Sequence, residues 1–248
     1  KHRPECRRLQ AVAFGEEYAR EQDRSYRMIN AAFRGDLRTV KRLQIELSVA
    51  VARTKFAKAA DAAMRTFLDF IDPREQWTAA WCAATANRPD VVRMLHELRA
   101  DLDKPNTAEG ATPTHIAVQF GHTAMVQLLY DLGADVHRAS NDGQRPIHAA
   151  ANNGHDKTVL LLISLRANIN CEDDYKYTPC HIAASEGQTQ IVQYLAGHRA
   201  SLEARNNKFD TPLLIAAWNE SLAVIRALLD ASGDVNCQDN KGRTPLFK

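Results

Sequence analysis

Between Thr123 and Asp135 the apolar residues Met125, Val126, Leu128, Leu129 and Leu132 recur at three- and four-residue steps, giving a helix one broad oily face. Just upstream, Ile116 and Ala117 open a shorter helix, in which the small alanine lets a partner helix come close. Gly121 separates the two helices and Gly133 ends the second, each able to take the left-handed backbone that a helix stop needs. Ala134-Asp135-Val136 then leads into an extended turn. The alternation of short helix, turn, longer helix and polar finger returns down the rest of the chain. No single pair of such short helices has a partner for all of its apolar surface, so the pattern predicts stacking.

The period is explicit. Pro113, Pro146, Pro179, Pro212 and Pro245 lie 33 residues apart, and four of the five are preceded by threonine (Thr112, Thr178, Thr211, Thr244; Arg145 stands at the fifth place). Self-similarity at this interval means stacked copies of one supersecondary unit. The threonine is a helix N-cap, its hydroxyl satisfying free N–H groups, and proline at the first helical position loses nothing by lacking a donor. Such a chain offers a long surface and, by default, no closed pocket.

The third unit reads Gly110-Ala111-Thr112-Pro113-Thr114-His115-Ile116-Ala117, then Gly121-His122, then Val126, Leu128-Leu129 and Gly133-Ala134-Asp135-Val136. The fourth has Pro146-Ile147-His148-Ala149-Ala150 and Gly154-His155, the fifth Thr178-Pro179-Cys180-His181-Ile182-Ala183-Ala184, the sixth Thr211-Pro212-Leu213-Leu214-Ile215-Ala216-Ala217. This resembles the ankyrin repeat, in which such motifs build helix-turn-helix units joined by β-turn fingers. A more worn second unit starts at Thr78-Ala79-Ala80-Trp81, and Ala31-Ala32-Phe33-Arg34-Gly35 resembles a first unit without its Thr-Pro start. The resemblance implies an all-α ankyrin-repeat solenoid. Its expected parts are an N-terminal helical cap over 1–20, a degenerate first repeat over 21–47, an inserted segment over 48–72, and five full units with a truncated last one over 73–248. In the insert, Met64, Phe67, Leu68 and Ile71 make an amphipathic stripe that either packs on the stack, the usual fate of such a stripe, or docks a partner. The chain begins at Lys1 rather than methionine and stops where a helix is due after Thr244-Pro245, so it reads as a segment of something longer.

Composition changes this picture little. No apolar run nears the length of a membrane span; Val159–Ile163 is among the longest. Residues 1–60 carry 14 Lys/Arg against 7 Asp/Glu and the remainder 18 against 23, so the net charge of +2 hides a basic start and an acidic body. Solvated helix faces account for this imbalance, and no nucleic-acid motif accompanies it. The five cysteines form no CxxC pair, and Cys171 and Cys237 stand two repeats, about 20 Å, apart, too far to bond. Unclustered thiols in odd number point to a reducing compartment, cytoplasm or nucleus.

Candidate chemistry is thin. His115, His148 and His181 each sit three residues after a cap, where ankyrin-like units use histidine to tie the turn, and they stand one repeat apart, too far to share a metal. No phosphate-binding, dinucleotide, serine-nucleophile or zinc-protease motif is present. No catalysis, cofactor or metal is expected.

What the resemblance implies instead is a protein-binding scaffold that holds another protein along the concave side, formed by finger tips and the exposed face of each first helix. The positions that carry over are Phe120, Asn152, Asn153, Glu186, Trp218 and Asn219 on the first helices. On the fingers they are Asn141, Asp142, Asp174, Tyr175, Tyr177, Lys208, Phe209 and Asp210. The aromatics among them would serve as interface anchors. Lys176 and Phe209 also replace the finger glycine, where a positive φ costs a side-chain-bearing residue about 1 kcal/mol. Glu220-Ser221 replaces Gly-His in the sixth unit, which predicts a distorted turn. The resemblance further implies that Asn170 and Asn236, in Ile-Asn and Val-Asn fingers with Leu162 and Leu228 eight residues before, are possible hydroxylation sites. A regulatory segment of a longer enzyme or channel, or a structural subunit of a large assembly, is the alternative.

Overall fold

A computed structural model describes residues 24–52, 68–71 and 77–247. The chain divides into two compact units, 1–108 and 109–248. Among the described residues the regular structure is helical, with no strand.

In the first unit, residues 24–34 (α1) are helical, followed by α2 (Leu37–Ala52), α3 (Ala79–Thr85) and α4 (Pro89–Glu97). Asp36 starts α2, its carboxylate accepting the Thr39 backbone N–H at 3.1 Å and the Thr39 hydroxyl at 2.6 Å. Those bonds, the hydroxyl's first, hold the carboxyl below its ordinary pKa. Thr78 caps α3, its Oγ1 accepting from the Trp81 N–H at 3.1 Å. α3 packs on α4, and α2 on α4. Met28, Ala32, Val40, Leu43, Leu68, Ala83, Val92 and Leu95 form the core of this unit. The helix begun in the degenerate repeat runs to Ala52, five residues past the expected boundary at 47. The N-terminal cap expected over 1–20 lies outside the described residues, as does most of the insert. The described end of the insert packs: Leu68 is buried, Phe70 meets Tyr26 edge-on at 5.5 Å, and Asp69 Oδ1 accepts the Asp101 N–H at 2.8 Å.

The second unit is a serial stack. Its first helices are α5 (Pro113–Gln119), α7 (Pro146–Asn152), α9 (Pro179–Ser185) and α11 (Pro212–Trp218). Its second helices are α6 (Thr123–Asp131), α8 (Asp156–Ser164), α10 (Thr189–Gly197) and α12 (Leu222–Asp230), and a 3-10 turn spans Pro245–Phe247. Each first helix packs on its own second helix and on the first helix of the next repeat; second helices likewise pack on their successors. Helices of seven and nine residues are too short to persist alone. Nearest neighbours hold them, as in any repeat architecture. Ile191, Val192 and Leu195 of α10 are wholly buried, and each such side chain contributes about 1.5–3 kcal/mol.

Polar bonds set the register between repeats. The Thr112 N–H donates to His115 Nδ1 at 3.2 Å, and Nε2 of the same ring meets the Gln144 carbonyl of the next finger at 3.1 Å. Because Nδ1 accepts, the proton sits on Nε2 and is donated across the repeat boundary. The arrangement repeats at His148, from the Arg145 N–H to the Tyr177 and Cys171 carbonyls, and at His181, from the Thr178 N–H to the Asp210 carbonyl at 3.0 Å. Burial pushes all three imidazoles below their ordinary pKa, His181 to about 4, so they are neutral. The histidine therefore ties not only its own turn, as expected, but the following unit.

Each finger closes on itself through two backbone bonds at 2.8–3.1 Å: Ser140 N–H to Gln144 carbonyl with Gly143 to Ser140, Asp173 to Tyr177 with Lys176 to Asp173, Asn206 to Asp210 with Phe209 to Asn206, and Asp239 to Arg243 with Gly242 to Asp239. Successive fingers are joined by Asn141 N–H to Glu109 carbonyl (2.8 Å), Asp174 to Asp142 (3.1 Å) and Asn207 to Tyr175 (3.1 Å). At Gly143 (φ 78°) a Cβ would stand 2.6 Å from Asp174 Oδ1, so this finger requires glycine. Lys176 and Phe209 take the same left-handed conformation at φ 61° and 65°, as their replacement of glycine predicts. The turn at Glu220 is not distorted. Glu220 (φ 56°) donates to Ala217 and Ser221 to Ala216 as Gly121 and His122 do to Val118 and Ala117, so strain at one residue preserves the helix hairpin.

Candidate interaction surface

Of the residues expected to face a partner, most reach solvent. Tyr175 is 65% exposed, Phe209 56% and Phe120 52%, values that leave each ring free to bury against another molecule. Asn141, Asp142, Asn152, Asn153, Asp174, Glu186, Lys208 and Asn219 are exposed as well. Some have structural duties besides: Asn153 Nδ2 donates to the Ala149 carbonyl, and Asn219 Nδ2 reaches back to the Ser185 carbonyl at 2.9 Å. The Phe120 ring stacks on His122. Tyr177 is half-buried, tilted against His181 at 5.6 Å.

Two expectations need correction. Asp210 is not at the surface; it is 2% exposed. Its N–H donates to Asn206 Oδ1 at 2.9 Å and Asn206 Nδ2 approaches its carboxylate at 3.4 Å. Burial raises its pKa. The brace position of the finger explains the inward turn. Asp173, Asn206 and Asp239 each accept two backbone N–H groups of their own finger through Oδ1. The residue four places on lies beside that brace. An amide at 206 tolerates a carboxylate there, whereas Asp239 pairs with Arg243 at 2.6 Å. Burial pushes the Asp239 carboxyl up, but hydrogen bonds from Arg243 and Lys241 more than offset this and hold it low. Trp218, second, is not a bare anchor. It is half-buried, and the Arg243 guanidinium lies 4.9 Å from its ring centre, a cation–π contact.

Asn170 and Asn236 are exposed. The Asn170 side chain is engaged, its Oδ1 accepting the Ser201 N–H at 2.8 Å. Leu162 and Leu228 are core residues. Cys171, Cys180 and Cys237 are buried, and burial raises their thiol pKa values, to about 11 at Cys171 and about 12 at Cys180, so they are protonated and inert. Among the described residues no group of three His, Cys, Asp or Glu could hold a metal ion, and no helix is long and apolar enough to cross a membrane.

Family models agree with the geometry. The model described as ankyrin repeats (3 copies) matches residues 28–140 and 132–206, and that of a single ankyrin repeat matches 209–240. The chain belongs to the ankyrin repeat family. Ankyrin repeats are in general non-catalytic protein–protein interaction modules. Among curated proteins, the chain is similar to Ankyrin repeat and SOCS box protein 6 of Homo sapiens, 32% identical over 97 residues, which is 38% of this chain and 23% of that protein. The mouse protein of that name is 34% identical over 78 residues, 31% of this chain and 19% of the relative. Ankyrin repeat-containing protein P1E11.10 of Schizosaccharomyces pombe is 36% identical over 66 residues, 26% of this chain and 30% of that protein. The matches thus span less than a third of each relative.

Two members of the finger row are not among the positions expected from the sequence. Three residues before each cap stand Glu109, Asp142, Tyr175, Lys208 and Lys241, all exposed. Glu109 and Lys241 could have been found by counting back from Thr112 and Thr244 at the same offset that yields Asp142, Tyr175 and Lys208.

Proposed function

We propose that residues 109–248 form a non-catalytic scaffold that binds a partner protein across the finger tips and the exposed ends of the first helices. The observation that carries this is the pair Tyr175 and Phe209 on adjacent fingers, more than half exposed on a backbone whose own hydrogen bonds are already satisfied within and between fingers. Large rings held on a rigid, internally bonded frame bury much area at little entropic cost. Phe209 keeps a left-handed backbone where glycine would be easier, a local expense that a binding role offsets. Buried thiols at Cys82, Cys171, Cys180 and Cys237, none in a disulfide among the described residues, support a reducing compartment as its place of work.

Affinity capture from the native source, wild type against Tyr175→Ala/Phe209→Ala, tests the reading. Both side chains lie outside the core, so the thermal transition should be kept. Partners that bind the wild type should be lost from the double variant. Retention of the same partners at equal yield would refute this surface.

A further inference from the structure

Resting on the reading of the finger row as a protein-binding surface, we infer that the tips recognise an extended peptide segment of graded charge, basic at one end, apolar or aromatic in the middle and acidic at the other. One structural position carries the argument. Three residues before each helix cap, successive fingers present Glu109, Asp142, Tyr175, Lys208 and Lys241. All five are exposed and occupy equivalent places at 33-residue steps. The order is two acids, one aromatic, two bases, with no reversal. Net charge over the five is nil, so the column attracts neither polyanions nor polycations as a whole. It discriminates by the order of charge.

The backbone makes this column a ruler. Each finger closes through bonds across its own turn, and the bonds from Asn141 to Glu109, Asp174 to Asp142 and Asn207 to Tyr175 lock neighbours together. The first helices of successive repeats pack on one another at about 10 Å, so successive tips stand about 10 Å apart. A peptide extended as a polyproline II helix advances about 3.1 Å per residue with about three residues per turn, so every third side chain lies on one face and meets a tip, and about thirteen residues span the five. Basic side chains then pair with Glu109 and Asp142, an aromatic or aliphatic one covers Tyr175, and acidic ones pair with Lys208 and Lys241. Exposed Phe209 widens the central apolar contact. Single-stranded nucleic acid also stacks on aromatics between lysines, but Glu109 and Asp142 in the row and Asp174 beside it repel its phosphates.

The test uses fluorescence anisotropy at low salt with synthetic peptides of about thirteen residues. The graded probe has lysine at the first and fourth positions, phenylalanine at the seventh, glutamate at the tenth and last, and serine or glycine elsewhere. The control has the same composition arranged symmetrically, lysines outermost and glutamates flanking the phenylalanine. Exposed pairs are individually weak, but four together should make the graded probe bind about tenfold tighter than the control. Lys208→Glu/Lys241→Glu, with all four charged tips acidic, should abolish the preference. Adding Glu109→Lys/Asp142→Lys to that variant inverts the gradient and should restore the preference, since the peptide can lie the other way round. Equal binding of the two peptides, an unchanged preference in the half-inverted variant, or tighter binding of an oligothymidylate would each overturn the inference. Native-partner capture separates the two failures: if Tyr175→Ala/Phe209→Ala loses partners while Lys208→Glu/Lys241→Glu keeps them, the scaffold reading stands and the charge order does not.

Discussion

The fifth and sixth repeats share a frame but are joined to their successors by different chemistry. In the fifth, Thr178 and His181 form a buried polar bridge, with N–H to Nδ1 at 3.1 Å on one side and Nε2 to the Asp210 carbonyl at 3.0 Å on the other. In the sixth, Leu214 takes the histidine's place, fully buried, and the Thr211 hydroxyl meets Cys237 Sγ at 3.2 Å. Both first helices are seven residues long, begin at proline and accept the same threonine cap. The comparison teaches that the imidazole is one solution to the repeat junction. An apolar side chain of similar bulk serves in its place. What the histidine adds is a proton-dependent bond.

Acid should therefore separate the two regions most strongly. His181 has a folded-state pKa near 4 against an ordinary 6.5, because burial disfavours its charged form. The unfolded chain takes up the proton more readily, so the full contribution of this group is present above about pH 6.5, falls as pH drops towards 4, and is flat below. That one group accounts for about 3 kcal/mol over the window. His115 and His148 shift in the same direction. Amide exchange followed between pH 7 and 4.5 should show Pro179–Ser185 losing protection before Pro212–Trp218. Equal loss in both helices would break the comparison.

Making the fifth junction like the sixth sharpens it. His181→Leu strands the Thr178 N–H and leaves the Asp210 carbonyl only the Asn206 N–H, at a cost of about 2 kcal/mol at neutral pH. The same variant should show a flatter loss of stability on acidification than wild type. Urea titrations at two pH values measure both effects, and an unaltered pH slope would assign the acid sensitivity elsewhere. Smaller again is the cap itself. Thr178→Ala and Thr211→Ala should each cost about 1 kcal/mol in urea unfolding, since each hydroxyl accepts a helix N–H. A much larger loss at Thr178 would mean that the hydroxyl's 2.8 Å contact with His181 Nδ1 matters more than the cap. Least of all should be Phe209→Gly. Relief of the left-handed strain and the added freedom of the unfolded chain nearly cancel, leaving stability within about 0.5 kcal/mol by thermal melt.

Much of this was legible beforehand because the repeat puts equivalent residues at a constant offset. The cap threonines, the helix-ending glycines and the exposed tips all follow from counting. Asp210 was misplaced because its burial depends on Asn206, four residues away on a turn whose closure the linear pattern does not show. The cover over Trp218 is not legible in its own repeat because Arg243, which lies over it, belongs to the next finger. Glu220 predicted a distorted turn, yet the packing of α11 on α12 holds the hairpin and leaves the strain in one φ angle.

By itself the sequence determined the kind of unit, its length, its helix starts and the order of acidic, aromatic and basic residues along the fingers. These depend on local propensity and on a period that survives substitution. Tertiary structure alone decided which polar groups are buried, where each histidine sends its second hydrogen bond, and which ring remains free. The physical reason is that a seven-residue helix and a five-residue finger bury nothing on their own. Their environment is made by the neighbouring repeat, and side-chain exposure is a property of that junction.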